Sequence, residues 1–285
     1  MLKICYAEER DRDFIRWTGN LLRSFLATNR VAIVRQKDRP DLMLASVWRR
    51  HRFPEGLPVV LVSNENWQIF PPHVALRRYR AVIGVCPPPQ FYWGDGPPGP
   101  LPYIHYPYEA VHFDQPIDEL YAQRDGRLQA SKSGFCCFVV SNTVGSMAER
   151  RERVFQQVNA WRRVDSAGSL LNNTGYRAPR GVAFLDWIAR YKFMICIENS
   201  EAPGYVTEKA LQASLAGAVP IYGGAGLAQF DHDAVIDAAA PDFLGQLQRL
   251  DADDLEYERR RKLDLYLKRP SLLEFEARFA ELLLA

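Results

Sequence analysis

Residues 191–226 read YKFMICIENSEAPGYVTEKALQASLAGAVPIYGGAG, and this stretch decides the fold. An apolar run over 193–197 predicts a buried strand, and residues 219–222 predict a second one. Between them, the pattern predicts a helix over 207–216 that Thr207 opens. Strand, helix and strand in this order are typical of a parallel sheet covered by helices. In such sheets ligands collect at the carboxyl ends of the strands, beside helix N-termini that suit phosphate.

The same alternation of short apolar and longer amphipathic segments extends towards both ends. In the first half the apolar segments predict strands over 3–7, 31–35, 42–47, 57–62 and 81–86. Residues 14–28 predict the first crossover helix, and residues 87–102, dense in proline, glycine and aromatics, predict a long loop. The pattern restarts with a strand over 135–140 and a helix over 148–161. The fold class is therefore α/β.

A length of 285 residues gives room for roughly two domains. The polar segment 124–134 predicts a linker, which divides the chain into α/β domains at 1–125 and 134–270 with a cleft between them. Residues 271–285 predict a terminal helix with Ser271 as N-cap, and this helix could pack back on the first domain.

Composition excludes several classes of protein. The chain is 47% hydrophobic and 25% charged with a net charge of +2, which argues against disorder and against a nucleic-acid partner. No apolar run approaches the roughly 18 residues of a membrane span, and the N-terminus does not read as a signal peptide. Peripheral contact with a membrane stays open. The five cysteines have neither zinc nor C-x-x-C spacing, which predicts a reducing cytoplasm.

Lys209 goes against local preference. It falls in the first turn of the predicted helix, where a cation is disfavoured by roughly 0.3–1 kcal/mol. A bound anion would remove this conflict, and the alternative is a solvated surface lysine. Glu208 beside it has an ordinary explanation, since acidic residues favour first turns, or it accepts a hydrogen bond from a ribose hydroxyl.

This region resembles the donor-binding signature of glycosyltransferase family 10, the α1,3/4-fucosyltransferases. The matching residues are Tyr191-Lys192-Phe193, Glu198-Asn199-Ser200, Gly204-Tyr205-Val206-Thr207-Glu208-Lys209 and Val219-Pro220-Ile221-Tyr222. Upstream, the resemblance continues through Phe138-Val139-Val140-Ser141-Asn142 and Arg151. It covers about 134–236 and is closer to soluble bacterial members than to membrane-anchored ones.

The resemblance implies a GT-B fold, in which two Rossmann-like domains face each other across a cleft and the C-terminal one holds GDP-fucose. It implies that Arg151 and Lys209 neutralise the pyrophosphate. It further implies that Glu208 holds the ribose while Asn199 and Tyr205 line the donor site. Fixed cations at a leaving phosphate are physically suited to this reaction, because they stabilise the charge that develops there.

Glu65 is the candidate general base. It follows the predicted strand 57–62 and resembles the catalytic glutamate of the family's Gly-Glu-Asn segment, with Asn64 in place of the glycine. Glu109 and Asp95 are alternative bases, and the ordinary interpretation of Glu65 is an acidic loop residue.

The acceptor side is predicted from aromatic residues. Trp67, Tyr92 and Trp93 lie near predicted strand ends and in the long loop, where aromatic faces could stack on sugar rings or simply pack in the core.

No metal site is predicted. Three D-x-D pairs occur, at Asp11 and Asp13, Asp231 and Asp233, and Asp251 and Asp253. The first and last pairs are expected to open helices, where acids are favoured, and the middle pair is a weak cation candidate. The resemblance implies a reaction in which two cationic side chains replace a magnesium ion.

The sequence therefore predicts an inverting, metal-independent enzyme without a cofactor. It would move L-fucose from GDP-fucose to an oligosaccharide hydroxyl, α1,3 to N-acetylglucosamine, with Glu65 as base and Arg151 and Lys209 at the leaving group. The alternatives are another GDP-sugar or a lipopolysaccharide-type acceptor, a non-catalytic nucleotide-sugar-binding protein, and a Rossmann oxidoreductase that binds NAD(H).

Overall fold

The chain forms two compact units. The computed structural model describes residues 1–48, 53–65, 76–86, 102–141 and 147–284. Unit 1 comprises Met1–Asp114 and Ser271–Ala285, and unit 2 comprises Gln115–Pro270. The boundary between the units thus falls after Asp114, earlier than the expected residue 125.

Unit 1 is built on one parallel sheet. Its strands are β1 (Leu2–Tyr6), β2 (Val31–Ile33), β3 (Leu42–Ala45), β4 (Val59–Ser63), β5 (Ala81–Gly84) and β6 (Tyr103–His105). They pair in the order β2-β1-β3-β4-β5-β6. Its first helices are α1 (Arg12–Leu21), α2 (Arg23–Ala27) and α3 (Glu109–His112). The crossover helix predicted as one segment is therefore two helices, which are separated at Leu22.

The local sequence explains these elements. All residues of β3 and β4 are buried, as expected for central strands of a parallel sheet that is covered on both faces. Helix α1 begins at its N-cap Asp11, whose carboxylate accepts a hydrogen bond from the Phe14 N–H at 3.0 Å. Asp13 lies in the first turn of the same helix. The prediction that this acidic pair opens a helix is confirmed.

Unit 2 contains a second all-parallel sheet. Its helices before the sheet are α4 (Ile117–Ala122) and α5 (Arg124–Leu128). Its strands are β7 (Gly134–Phe138), β8 (Val164–Ser166), β9 (Tyr191–Ile197), β10 (Val219–Gly223) and β11 (Ile236–Asp237), in the order β11-β10-β9-β7-β8. The remaining helices are α6 (Ala148–Trp161), α7 (Val182–Ile188), α8 (Lys209–Leu215), α9 (Phe243–Ala252) and α10 (Asp254–Arg260).

The predicted linker 124–134 is wrong, because its first part is helix α5 of unit 2. Arg124 is only 6% exposed, and it donates to the backbone carbonyls of Ser214 at 2.8 Å and Leu263 at 2.9 Å. A guanidinium carries five N–H donors, so one buried arginine can satisfy several carbonyls. These contacts tie the segment to the rest of unit 2.

The C-terminal helix α11 (Leu273–Leu284) belongs to unit 1. Its Phe279 packs edge-on against Phe25 with ring centroids 5.3 Å apart. The helix begins two residues after Ser271, whose hydroxyl accepts a hydrogen bond from the Leu273 N–H at 3.2 Å. N-cap side chains accept from the N–H two or three positions on, so this bond agrees with the capping role predicted for Ser271.

The strand order of unit 2 reverses between β7 and β9. Strand β8 lies on the far side of β7, while β9 and β10 extend the sheet in the opposite direction. In an open parallel sheet such a reversal leaves a crevice at the carboxyl ends of the strands, where ligands bind. Helix α6 follows β7 in the chain and α8 follows β9, so both begin at this edge.

Two further observations bear on the expected setting of the chain. All five cysteines are free thiols and all are buried. Within the ranges that the structure describes, helices are too short or too polar to cross a membrane.

Candidate functional site

Glu198 lies at the centre of a polar cluster directly after strand β9. Its side chain is fully buried. One carboxylate oxygen, Oε1, accepts a hydrogen bond from the Thr207 N–H at 2.8 Å. The other, Oε2, accepts from the Thr207 hydroxyl at 2.6 Å and from Lys209 Nζ at 3.1 Å. A carboxylate removed from water requires such partners, and here they come from the loop that leads into helix α8.

Lys209 is the first residue of helix α8. Its Nζ donates to the Thr207 hydroxyl at 2.7 Å as well as to Glu198. Burial acts to lower the pKa of Lys209, but the charges of Glu198 and Glu208 and the hydrogen bond to Glu198 outweigh it and raise that pKa. Lys209 is therefore held as a cation, and the solvated-lysine alternative is wrong.

Thr207 does not open the helix as predicted. The N-cap position is held by Glu208, whose carbonyl accepts the first helical hydrogen bond from the Gln212 N–H at 2.8 Å. The threonine hydroxyl instead donates its hydrogen bond to the Glu198 carboxylate, and it does not cap α8.

Arg151 approaches the same cluster from helix α6. It is fully buried, whereas Arg153 on the same helix is exposed. Its Nε donates to the Glu198 backbone carbonyl at 3.2 Å, and its Nη2 donates to the Asn199 side-chain oxygen. Burial lowers the pKa of Arg151, against which the charge of Glu198 acts. A guanidinium remains protonated in proteins, so a second fixed cation lies at this edge of the sheet.

A glycine loop after strand β10 packs closely against the cluster. A Cβ added at Gly224 would lie 2.7 Å from Glu198 Cγ and 2.6 Å from the Tyr222 hydroxyl. The Gly226 N–H donates to that same hydroxyl at 3.2 Å. The loop thus needs glycine at 224 because Glu198 and Tyr222 leave no room for a side chain.

The structure brings all five predicted donor-site residues together in unit 2. Asn199 receives a hydrogen bond from Arg151, and the buried Tyr205 contributes to the electrostatic environment of that arginine. Glu208 is half-buried and close enough to Lys209 to raise its pKa.

The central residue of the cluster, Glu198, is absent from the predicted site. The signal that could have identified it is an acidic residue placed immediately after a continuous apolar strand. At that position in a parallel sheet, a carboxylate must find buried partners or remain in water.

Glu65 lies in unit 1, two residues beyond strand β4. Its N–H donates to the Ser63 hydroxyl at 3.1 Å, which holds the turn, and its side chain is half-buried. The buried Tyr106 donates its hydroxyl to the Ser63 carbonyl at 3.1 Å and fixes the same strand end. The alternative base Glu109 is only 2% exposed, in the first turn of α3.

Several predicted residues lie outside the described part of the chain. These are Trp67, Tyr92 and Trp93 of the acceptor platform and the alternative base Asp95.

The remaining acidic pairs serve the fold. Asp253 caps α10 by accepting from the Glu256 N–H at 3.0 Å, as predicted. Asp251 instead lies in the last turn of α9, where it pairs with Lys192 at 3.0 Å, so its predicted helix-opening role is wrong. Asp233 pairs with Arg259 at 2.9 Å. Among the described residues, no three His, Cys, Asp or Glu side chains are grouped to hold a metal ion.

Comparison with known proteins agrees with this geometry. The C-terminal domain of glycosyltransferase family 10 (fucosyltransferase) matches residues 129–262, which include the whole Glu198 cluster. The match covers a little less than half of the chain, and it shows that this segment is similar to glycosyltransferase family 10. The resemblance seen in the sequence is thereby confirmed.

The relatives of this chain match it over limited segments. Alpha-(1,3)-fucosyltransferase FucT of Helicobacter pylori is 38% identical over 93 residues, which are 33% of this chain and 18% of that protein. Human 3-galactosyl-N-acetylglucosaminide 4-alpha-L-fucosyltransferase FUT3 is 32% identical over 137 residues, 45% of this chain and 36% of that protein. The matched segments thus span well under half the length of either relative.

Solved structures extend the likeness in fold to nearly the whole length of this chain. A crystal structure of α1,3-fucosyltransferase with GDP-fucose superposes with a TM-score of 0.68 at 21% identity, covering 99% of this chain and 90% of that one. An α-glucosyltransferase in complex with UDP and a 13-mer DNA superposes with a TM-score of 0.57 at 10% identity, covering 99% of both chains. At these identities the likeness shows the fold. It confirms the predicted GT-B class of two Rossmann-like α/β domains.

Proposed function

We propose that this chain is an inverting fucosyltransferase that uses GDP-fucose and acts on an oligosaccharide, α1,3 to N-acetylglucosamine. The observation that carries the proposal is the pair of fixed cations at the switch point of unit 2. Lys209 contacts the buried carboxylate of Glu198, and Arg151 contacts the backbone carbonyl of the same residue. Two buried cations at this edge suit a diphosphate. The names of the relatives support the fucosyl donor, since those proteins are fucosyltransferases.

The two cations act on the leaving group. As the bond between the anomeric carbon and the phosphate oxygen breaks, its electron pair passes to GDP and negative charge grows on the diphosphate. Arg151 and Lys209 stabilise that charge by hydrogen bonds that are already oriented, without a metal ion or a cofactor. Asn199, Tyr205 and Glu208 complete the donor site. The Glu208 carboxylate accepts a hydrogen bond from a ribose hydroxyl.

Glu65 acts on the acceptor. Its carboxylate takes the proton of the acceptor hydroxyl while that oxygen bonds to the anomeric carbon from the face opposite GDP, which inverts the configuration. The turn that Ser63 holds presents this half-buried carboxylate at the end of β4. Trp67, Tyr92 and Trp93 supply stacking faces for the acceptor sugars, and the reaction takes place in the cytoplasm.

The test combines binding with transfer. Calorimetry with GDP, with and without EDTA, should show binding that does not depend on a divalent ion. A panel of GDP-sugars against glycan acceptors should give transfer from GDP-fucose, with the linkage and anomeric configuration read by NMR.

The sharpest variant is Glu65→Gln, which keeps the size of the side chain and removes the base. We expect the transfer rate to fall by about 10²- to 10⁴-fold, while GDP affinity is retained. Glu55→Gln, which removes an exposed carboxylate of the same unit, is the matched control. Full transfer by Glu65→Gln would eliminate Glu65 as the base. GDP binding by the wild type without turnover of any donor would favour the non-catalytic alternative.

A further inference from the structure

We infer that Glu198 is a positioning residue, which fixes the ammonium of Lys209 through its carboxylate and the guanidinium of Arg151 through its backbone carbonyl. The inference rests on the proposed function, since it assigns a role within the proposed donor site. It places one buried residue in contact with both cations.

The hydrogen bonds of Glu198 to residues of two helices support this role. Lys209 lies on α8 and Arg151 on α6, and Glu198 contacts both from the end of β9. A lysine side chain has many rotamers, and here the Thr207 hydroxyl at 2.7 Å and Glu198 Oε2 at 3.1 Å hold one of them. Thr207 in turn donates its proton to the same Oε2 atom at 2.6 Å. The ammonium is therefore oriented by two acceptors that are themselves joined.

The negative charge of Glu198 shows that its role is to position Lys209 and not to attract the diphosphate. A carboxylate 3.1 Å from Lys209 Nζ opposes the approach of a diphosphate to that cation. Glu198 therefore cannot favour donor binding by its charge, and any benefit must come from the placement of its neighbours. Removal of the charge should favour binding on electrostatic grounds, while loss of placement should impair transfer.

The first variant is Glu198→Gln, which keeps the side-chain length and removes the charge. We expect kcat for fucosyl transfer to fall by about 30- to 100-fold, because small misplacements of catalytic groups cost this much. The KM for GDP-fucose and the Kd for GDP should each change by less than about fivefold, since the two effects on binding oppose each other. Glu152→Gln on the exposed face of α6 is the control for a lost carboxylate.

A double-mutant cycle provides the readout that a merely structural role would not give. If Glu198 acts through Lys209, then Glu198→Gln should reduce kcat far less in a Lys209→Met background than in the wild type. Independent, multiplicative losses in the two backgrounds would overturn the inference. So would a Glu198→Gln enzyme with wild-type kcat.

A second variant keeps the test informative if Glu198→Gln does not fold. Thr207→Val is nearly isosteric and removes the hydroxyl that links Lys209 to Glu198, while the buried carboxylate stays in place. We expect a loss of about 5- to 10-fold in kcat and a lower thermal midpoint, because the buried carboxylate loses one donor. An unchanged kcat would count against the inference. A wild-type chain that neither binds GDP nor transfers fucose would overturn the proposed function itself. Failure of the variants alone, with an active wild type, would overturn only the role of Glu198.

Discussion

The two ends of the sheet in unit 2 each hold a lysine that is largely removed from water, and the two lysines behave oppositely. At the carboxyl end, Lys209 pairs with Glu198, and its pKa is raised. At the amino end, Lys132 lies two residues before β7 and donates to the Ala189 carbonyl at 2.8 Å. Burial lowers the pKa of Lys132 to about 7.

The difference comes from the partners. Desolvation is the largest influence on both lysines and lowers both pKa values. At Lys209 the charges of Glu198 and Glu208, together with the hydrogen bond to Glu198, outweigh desolvation. Lys132 instead faces the backbone carbonyls at the ends of α7 and α8 and the repelling charge of Arg261. Of these two lysines, only Lys209 is therefore fully charged at neutral pH. A lysine removed from water thus keeps its charge where a carboxylate is close, as at Lys209, and is more easily deprotonated where it faces backbone carbonyls, as at Lys132.

The largest expected effect tests this contrast directly. Lys209→Met should weaken GDP binding by about 10- to 150-fold, because it removes a charge-assisted hydrogen bond to the diphosphate. Lys132→Met, the matched loss of a lysine at the opposite end, should leave the Kd for GDP within twofold. Titration calorimetry of both variants measures the comparison.

Arg151→Met extends the same test to helix α6. It should weaken GDP binding by a similar factor, while Arg153→Met on the exposed face of that helix should have no effect. If Lys209→Met and Arg151→Met both kept wild-type affinity for GDP, the carboxyl end would not be the diphosphate site.

The sequence predicted this half of the molecule well for physical reasons. Strands β9 and β10 are continuous apolar runs, and Gly217 ends the intervening helix with a φ of +68° that favours glycine. Lys209 stood out because a cation in a first turn conflicts with the helix dipole. Its actual compensation in the described structure is Glu198, a contact that spacing along the chain could not reveal.

Other elements carried too little signal. Strands β6, β8 and β11 have only two or three residues each, too few to show a period. Helix α5 falls within the predicted linker because residues 124–134 are polar and small, although Arg124 is buried. Arg151 likewise sits among charged residues of α6, and only the fold shows that it points inward. At Arg124 and Arg151 the burial of the charge depends on tertiary contacts, which the sequence does not show.

A smaller effect should follow from moving Glu198 without changing any charge. Gly224→Ala places a methyl group 2.7 Å from Glu198 Cγ, so the carboxylate or Tyr222 must shift. We expect a loss of roughly 1–3 kcal/mol in stability and about a tenfold weaker affinity for GDP, measured by thermal unfolding and calorimetry.

Gly126→Ala is the matched control for that change. A Cβ at Gly126 on α5 meets nothing within 4 Å, and alanine there should stabilise the helix by roughly 0.5–1 kcal/mol. Equal GDP affinity for both glycine variants would show that the placement of Glu198 does not matter for the donor site.

The smallest expected effect is a pH dependence of the stability of the chain, which Lys132 causes at the amino end of the sheet. The pKa of Lys132 is about 7 in the folded chain, whereas an unfolded lysine has a pKa of about 10.4. Between these values the unfolded chain binds more protons than the folded one, so the contribution of Lys132 to stability rises with pH. The slope is at most about 1.4 kcal/mol per pH unit. Lys132→Met should remove it.

The buried thiols act in the opposite direction and must be separated from this effect. Burial raises the pKa of Cys136, Cys137 and Cys196, so these groups keep protons that the unfolded chain releases, and stability falls as the pH exceeds about 8.5. Both wild type and Lys132→Met carry these thiols, so their difference reports Lys132 alone. We expect the wild-type thermal midpoint to rise relative to that of the variant between pH 6.5 and 8.5. If the thermal midpoints of wild type and variant changed in parallel with pH, Lys132 would remain protonated in the folded chain. The contrast between the two ends of the sheet would then need another cause than the missing carboxylate.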